Sequence, residues 1–575
     1  LQPGVTYINN GKDDYRSGSV NGGKSDQGNV TLDGVDVNDQ QARKAFTSVL
    51  RVTLDSVQEF RVVTSNFGAD QGRSSGAQVS LVTKSGTNQI HGTLFEFFRN
   101  NQLNARRWLP GASNLTVDAL HRNQFGGTFG GPIVKNKAFI FGSYSGLRER
   151  TNIFANTATP FTAIERTGDL SKTAGTAPVG PLANNTPFPG RIIPSSRFDP
   201  VAMKILSTYV PLPNLANGNF ESQIPHPRDT DELILKGDHN ASQNHRLTAS
   251  LFYSKGSDLV GLIGNLPWVS RNFTWSQYNY NLSDTWVIAP NKINELRASY
   301  IRNFGGRTNL PAISLGDLGS KYQIQGAPSL PQIQVAGRFN LNSAIPGPVA
   351  GSNQYQIRNI FSYTSNRHNI RVGGEITLEK MIHDTLLNNY GTFSFTTNNP
   401  RGTRNATADF LMGLPATMNQ DAPTTKINNS WYSAMFLQDD WRPSNRLTIN
   451  AGLRWEVEFP RRVVGNKQNS FDPVAINPVS GTPGVVTFAG VNGTPERAFK
   501  TDWNNVGPRL GFAYDIKGDS QWKTYGSFGY FYDTFKLELP RGAWGADHWI
   551  DYIYTLDSFN WPAIDCSGDP TASVK

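Results

Sequence analysis

One cysteine, Cys566, stands in 575 residues, which excludes a disulfide framework and every multi-cysteine zinc site. Charge is also scarce, at 17% of the chain against ~25% in ordinary globular domains. No apolar run approaches the ~18 residues of a spanning helix, so no transmembrane helix is expected. No dense Lys/Arg run marks a nucleic-acid arm, so no nucleic-acid partner is expected. Present instead are 33 Phe, 19 Tyr and 12 Trp, too many aromatics for a disordered chain and too few charges for a helical bundle. The 55 Gly and 34 Pro exceed average usage only slightly. Length suggests about four domains or one very large one. The formal charge of +9 points to an anionic neighbour without naming it. The chain starts at Leu1 with no Met, basic stretch or apolar h-region, so any targeting signal is expected upstream of it.

The strongest signal is period-two alternation over long segments. From Leu447 to Phe459 the odd positions are apolar (Leu447, Ile449, Ala451, Leu453, Trp455) and the even ones polar (Thr448, Asn450, Arg454, Glu456, Glu458). That run exceeds the ~5–6 residues of an average strand and the ~9–11 needed to cross a bilayer. The pattern recurs at Leu247–Tyr253, Tyr278–Leu282, Leu296–Tyr300, Ile370–Ile376 and Leu510–Tyr514. Alternation alone does not separate a soluble sandwich from a membrane barrel. Connection lengths do. Short turns at 131–136, 240–244, 289–291, 365–367, 443–445 and 517–520 alternate with long stretches at 150–229, 256–271, 304–351 and 461–503. Tight turns at one end and long loops at the other describe an outer-membrane barrel. Trp286, Trp441, Trp455, Tyr514 and Trp522 fall near hairpin ends, as interfacial girdles require. Within the loops, Asp199-Pro200 predicts a helix with a stripe of Val201, Met203, Ile205 and Leu206, and Thr407 predicts a cap for a second helix over 407–414.

The first ~85 residues differ, with short apolar stretches between Gly, Asp and Ser. Val30-Thr31-Leu32-Asp33-Gly34-Val35, then Ser56-Val57-Gln58-Glu59-Phe60-Arg61-Val62, then Gly76-Ala77-Gln78-Val79-Ser80-Leu81-Val82-Thr83-Lys84 occur in order. This segment resembles the plug domain of TonB-dependent receptors of Gram-negative outer membranes. The continuation through Thr83–Asn88, Phe95–Asn100, Asn123–Pro132, Gln438–Trp441 and Asn504–Gly511 is similar to the Oar-like branch. Gln71-Gly72 departs from the Tyr-Gly of many plugs.

The resemblance implies an all-β transmembrane fold: an incomplete antiparallel outer-membrane β-barrel over 86–575 and a small mixed α/β plug domain over 1–85. It implies transport of an extracellular ligand captured by long loops, a TonB-type energy-coupling partner, and placement in the cell outer membrane. Asp33, Gly34, Arg61, Gly76, Thr83 and Lys84 are the plug-motif positions. The family's TonB box and carboxypeptidase-regulatory-like domain do not occur in these residues, so energy coupling is implied by the resemblance alone. Roughly fifteen strands are expected here, against ~22 in a plugged transporter. Lumen Arg and Glu are expected to pair with the plug, and the basic excess to meet lipopolysaccharide phosphates.

Enzymatic readings fail on the residues. Asp33, Asp36, Asn38 and Asp39 lack the spacing and final Glu of an EF-hand and read as a turn. Gly142-Ser143-Tyr144-Ser145-Gly146 has Tyr where a nucleophile elbow needs Ser. Gly126–Gly131 has no following helix to hold a phosphate. The eight histidines are dispersed. No catalytic, metal or cofactor site is expected. A surface or secreted β-rich adhesin or carbohydrate-binding protein is the competing reading, and export is a third. The barrel reading predicts detergent dependence and heat-modifiable migration on gels; full solubility without detergent is the outcome of the adhesin.

Overall fold

The structure is a computed structural model that describes residues 5–7, 18–20, 27–38, 54–64, 67–105, 119–154, 158–181, 185–261, 264–322, 324, 328–343, 347–384, 390–421, 425–497, 499–533 and 551–554. Asp39 and Cys566 lie outside the described residues. A two-stranded ribbon, β1 (Val5–Tyr7) and β2 (Gly18–Val20), comes first. A four-stranded inner sheet follows: β3 (Asn29–Leu32), β4 (Val35–Asp36), β5 (Val57–Val63) and β6 (Gln78–Thr83), in the order β4-β3-β6-β5.

The bulk of the chain is one curved antiparallel wall. Its strands are β7 (His91–Asn100), β8 (Leu120–Val134), β9 (Ala138–Phe154), β10 (Gln223–Asn240), β11 (His245–Val260), β12 (Ser270–Ala289) and β13 (Lys292–Leu310). They continue as β16 (Gly347–Thr364), β17 (His368–Asp384), β20 (Thr425–Ser444), β21 (Leu447–Glu458), β25 (Val506–Asp515) and β26 (Lys523–Gly529). Every consecutive pair is hydrogen-bonded, and the short β22 (Arg462–Val463) adds to β20. Strands of up to 20 residues outrun the ~9–11 that span a bilayer, so their loop-side halves stand outside it.

The alternation read from the sequence becomes two faces. On β20, Tyr432, Ala434, Phe436 and Gln438 point inward and are buried, while Trp431, Met435 and Leu437 are exposed outside. The β8–β9 connection corrects the expected 131–136 turn: β8 runs through the glycines to Val134, and the turn is 135–137. Glycine is needed within that run because a Cβ on Gly126 would strike the Tyr144 carbonyl and one on Gly127 the Thr93 carbonyl. Close approach, not turning, explains the glycine run.

The long loops are not irregular. They assemble a cap with a core of its own, drawn from 158–210, 266–269, 315–341 and 393–418. Its sheet has the order β15-β14-β18-β19-β27, from β14 (Gln332–Val335), β15 (Phe339–Leu341), β18 (Thr392–Phe395), β19 (Thr417–Asp421) and β27 (Asp551–Tyr554). Phe161, Phe339, Phe395 and Phe410 meet edge-on or tilted at 5.1–5.8 Å between ring centres. A separate hairpin, β23 (Asn469–Ile476) with β24 (Pro483–Phe488), lies in the next loop.

Helix α1 (Pro200–Thr208) forms as read, with Asp199 accepting from the Ala202 N–H at 2.9 Å and Val201, Ile205 and Leu206 buried. Arg166 closes its far end by donating to the Leu206, Val210 and Pro211 carbonyls, orphan acceptors otherwise. Helix α2 (Ala406–Leu411) departs from expectation: Asn405, not Thr407, is the cap, accepting from the Thr407 and Ala408 N–H groups. The Thr403 N–H donates to the buried Asp409 carboxylate at 2.6 Å, yet burial still pushes the Asp409 pKa up to about 6.

A raised carboxyl pKa means the folded cap binds more protons than the unfolded chain between the ordinary and the raised value, so stability falls as pH rises through that window. A shift from 3.8 to about 6 corresponds to about 3 kcal/mol at most. Hydrogen-exchange protection of α2 is therefore expected to be greater at about pH 5 than at about pH 7.5, and Asp409→Asn to flatten that dependence.

Candidate functional site: the inner sheet against the wall

The segment between β5 and β6, Phe67 to Ser74, is held by charged side chains from the inner face of the wall. Arg73 sits between Asp36 at 2.9 Å and Glu379 of β17 at 2.7 Å, with its guanidinium 4.7 Å from the Tyr432 ring centre. Asp70 meets Arg371 at 2.8 Å, and its carbonyl accepts from Arg358. The Ala69 N–H donates to Gln438 Oε1 at 2.8 Å, and the Ala69 carbonyl accepts from Arg454 at 3.1 Å. Arg509 donates to the carbonyls of Phe67, Gly68 and Gln71 and lies 4.9 Å from the Phe67 ring centre.

Arg454 is the centre of this clamp. Its side chain is 1% exposed and reaches Glu375 at 2.6 Å, Glu456 at 3.0 Å and the Tyr432 oxygen at 2.7 Å. Tyr432 in turn donates to Glu456 at 2.6 Å. Gly72 is required beside it, since a Cβ there would overlap the Arg454 guanidinium. A buried guanidinium left without its acid costs about 3–5 kcal/mol, so each partner supports the others.

The opposite side of the inner sheet has different chemistry. Val30, Leu32, Val35, Val37 and Val79 pack against Phe141, Ile234, Phe252 and Ile301 of β9, β10, β11 and β13. One polar tie crosses there: Lys236 lies 3.4 Å from Asp33 and donates to the Thr83 carbonyl at 3.1 Å. The inner sheet is thus seated on an apolar wall and clamped by an ionic one.

Of the positions named from sequence, Asp33 and Thr83 come together: Asp33 accepts from the Thr83 N–H at 2.9 Å and from its hydroxyl at 2.7 Å. Gly34 has φ +80°, and the Arg297 guanidinium fills the space a side chain would need. Gly76 donates its N–H to the Gln27 carbonyl at 2.8 Å and is itself packed against that group. Lys84 donates its backbone N–H to the Ser56 carbonyl at 2.9 Å. Arg61 is exposed on β5. Neither side chain joins the clamp. Asp36 and Asn38 form the expected turn, with Asp36 accepting from the Asn38 N–H at 2.9 Å. Among the described residues no cluster of His, Cys, Asp and Glu is arranged to hold a metal.

Sequence reading expected inner-face Arg and Glu to pair with the first segment, as Arg371 and Arg454 do, but named neither Arg73 nor Glu379. The available signal was the polar parity of β17 and β21, where Arg371, Glu375, Glu379, Arg454 and Glu456 all fall on the inner face.

A family model described as "Outer membrane beta barrel domain" matches residues 82–550. The chain belongs to that outer-membrane β-barrel family. It is 29% identical over 150 residues to the TonB-dependent transporter Oar of Myxococcus xanthus, a stretch covering 25% of this chain and 13% of that protein. The outer-membrane transporter YddB of Escherichia coli superposes with a TM-score of 0.51 at 10% identity, over 94% of this chain and 58% of that one. A ferric enterobactin receptor variant from Pseudomonas aeruginosa gives 0.47 at 12% identity, over 93% and 59%. The chain therefore spans little more than half the length of these solved receptors, and a smaller share of Oar. The family places the wall in the outer membrane, with its apolar face toward lipid and its tight turns at the periplasmic rim.

Arg73→Ala removes the cation between Asp36 and Glu379, leaving Glu379 its longer 3.6 Å pair with Arg461, and is expected to weaken docking of 67–74 by up to about 3–5 kcal/mol. Faster hydrogen exchange confined to that segment, with heat-modifiable migration retained, is the expected readout.

Proposed function

We propose that the protein is an outer-membrane TonB-dependent receptor whose inner sheet serves as a plug, over about residues 1–85, within the barrel wall of residues 86–575. The loop cap captures an extracellular ligand, and pulling on the plug by a TonB-type inner-membrane partner opens a path past it. The observation carrying this reading is the two-sided mounting of the inner sheet. An ionic clamp is directional and breaks when its geometry is disturbed, whereas the apolar seat tolerates sliding. Release of 67–74 from Arg454 and Arg509 would free one side of the lumen while Phe141, Ile234, Phe252 and Ile301 keep the sheet inside.

No covalent step is part of this function. Ser143 and Ser145, beside the failed nucleophile elbow, lie within β9 with no described base at hydrogen-bonding distance. The adhesin reading gives way to the family membership and to the exposed apolar outer face. Ligand contacts are assigned to the cap as a unit, because Ala158, Phe161, Leu170, Ile193 and Ile205 of this connection are buried in its core and Phe220 packs against it.

Potassium chloride conductance in planar bilayers tests the plug. Wild-type protein is expected to hold the lumen closed, and Arg73→Ala with Arg454→Ala to conduct. An open wild-type channel unaffected by these changes would overturn the reading.

A further inference from the structure

The outward face of β8–β13 carries a groove of about 580 Å³, almost wholly apolar, that the clamp and cap do not use. Strand register explains its shape. Ile140, Gly237, Ala249, Leu282 and Ala298 are successive cross-strand partners from β9 to β13. Two small residues in adjacent strands, and a third beyond Leu282, leave a trough where larger side chains would fill the sheet surface. The next row toward the loops is bulky: Leu235, Leu251, Tyr280 and Tyr300 are partnered in the same way. Tyr280 and Tyr300 stack at 6.1 Å, Tyr300 stacks on Tyr355 at 4.9 Å, and Tyr300 donates to Asn353 at 2.8 Å. A trough with one raised, aromatic bank results.

Its direction follows from the wall. Four inter-strand steps at ~4.8 Å make it about 19 Å long, and strand tilt turns that line obliquely through the bilayer. One end, at Ile133 and Ile140, flanks the turn 135–137 at the periplasmic rim. The other end reaches Ala298 and Tyr300, further from the periplasmic ends of their strands. At the low end Lys135 and Lys137 are both exposed, and neither forms an ion pair among the described residues. The low end of the apolar groove and the cationic mouth thus share the β8–β9 hairpin.

We propose that this groove binds one anionic phospholipid of the periplasmic leaflet, with an acyl chain laid along Gly237, Ala249 and Ala298 and the phosphate at Lys135 and Lys137. The inference rests on the outer-membrane placement of the wall and is independent of plug function. Lipopolysaccharide is excluded as the occupant by leaflet, since the basic mouth lies at the turn side and not the loop side. Ala249→Phe fills the trough; Lys135→Gln and Lys137→Gln remove the mouth's charge without touching the wall.

Native mass spectrometry tests it on the chain extracted from vesicles of phosphatidylethanolamine with phosphatidylglycerol, with and without added lipopolysaccharide. Wild-type protein is expected to retain one phosphatidylglycerol, and Ala249→Phe to retain none. Each lysine substitution should lower retention by roughly fivefold, since one basic residue at an anionic surface contributes about that factor. If Ala249→Phe loses heat-modifiable migration, the lysine pair alone decides. Equal retention in all folded variants, phosphatidylethanolamine held as well as phosphatidylglycerol, or lipopolysaccharide as the retained species would each overturn the proposal.

Discussion

Arg454 cannot shed its proton, and it is buried inside the wall at 1% exposure. Charge in that position demands acids and carbonyls around it, and the surrounding structure answers the demand. Glu375 and Glu456 come from two strands, Tyr432 from the strand between them, and the Ala69 carbonyl from the inner sheet. Moving any one element leaves an unpaired charge in a low-dielectric interior. The position of 67–74, the inner-face parity of β17 and β21, and the need for glycine at 72 all follow from that constraint.

The same molecule uses a second principle a few strands away. Against β9–β13 the inner sheet is held by Val, Leu, Ile and Phe, contacts that depend on area and not on angle. Ionic contacts specify one docked arrangement, and apolar ones keep the sheet in place through small displacements. Under the proposed function, an inner sheet that stays in the lumen and still yields a path needs both.

Outside the membrane the balance changes. The loop segments form a cap because each supplies a short apolar cluster that is too small to bury itself. Phe161, Phe339, Phe395 and Phe410 come from three different loops and meet in one core. Arg338 ties two of those loops by pairing with Glu165 at 2.5 Å, and Trp268 donates to the Pro331 carbonyl at 2.8 Å to join a fourth segment. Apolar residues spaced far apart in sequence carry no periodic signal, so these segments read as irregular.

What the sequence determined by itself was most of the local structure, apart from the exact β8–β9 turn and the α2 cap. Period-two alternation marked the wall strands and their inner and outer faces, Asp199 with Pro200 marked α1, and the contrast of short and long connections marked the two rims. Asp33 and Thr83 were named through a motif, and in the structure the Thr83 N–H and hydroxyl both donate to the Asp33 carboxylate. The tertiary structure alone decided which charges meet. Arg73 and Glu379 are 306 positions apart, and nothing in either neighbourhood encodes the other. The cap, the clamp and the row from Gly237 to Ala298 depend on strand register and on loops folding against one another. Alternation fixes which face a side chain takes, but only pairing across the sheet determines which side chain stands beside it.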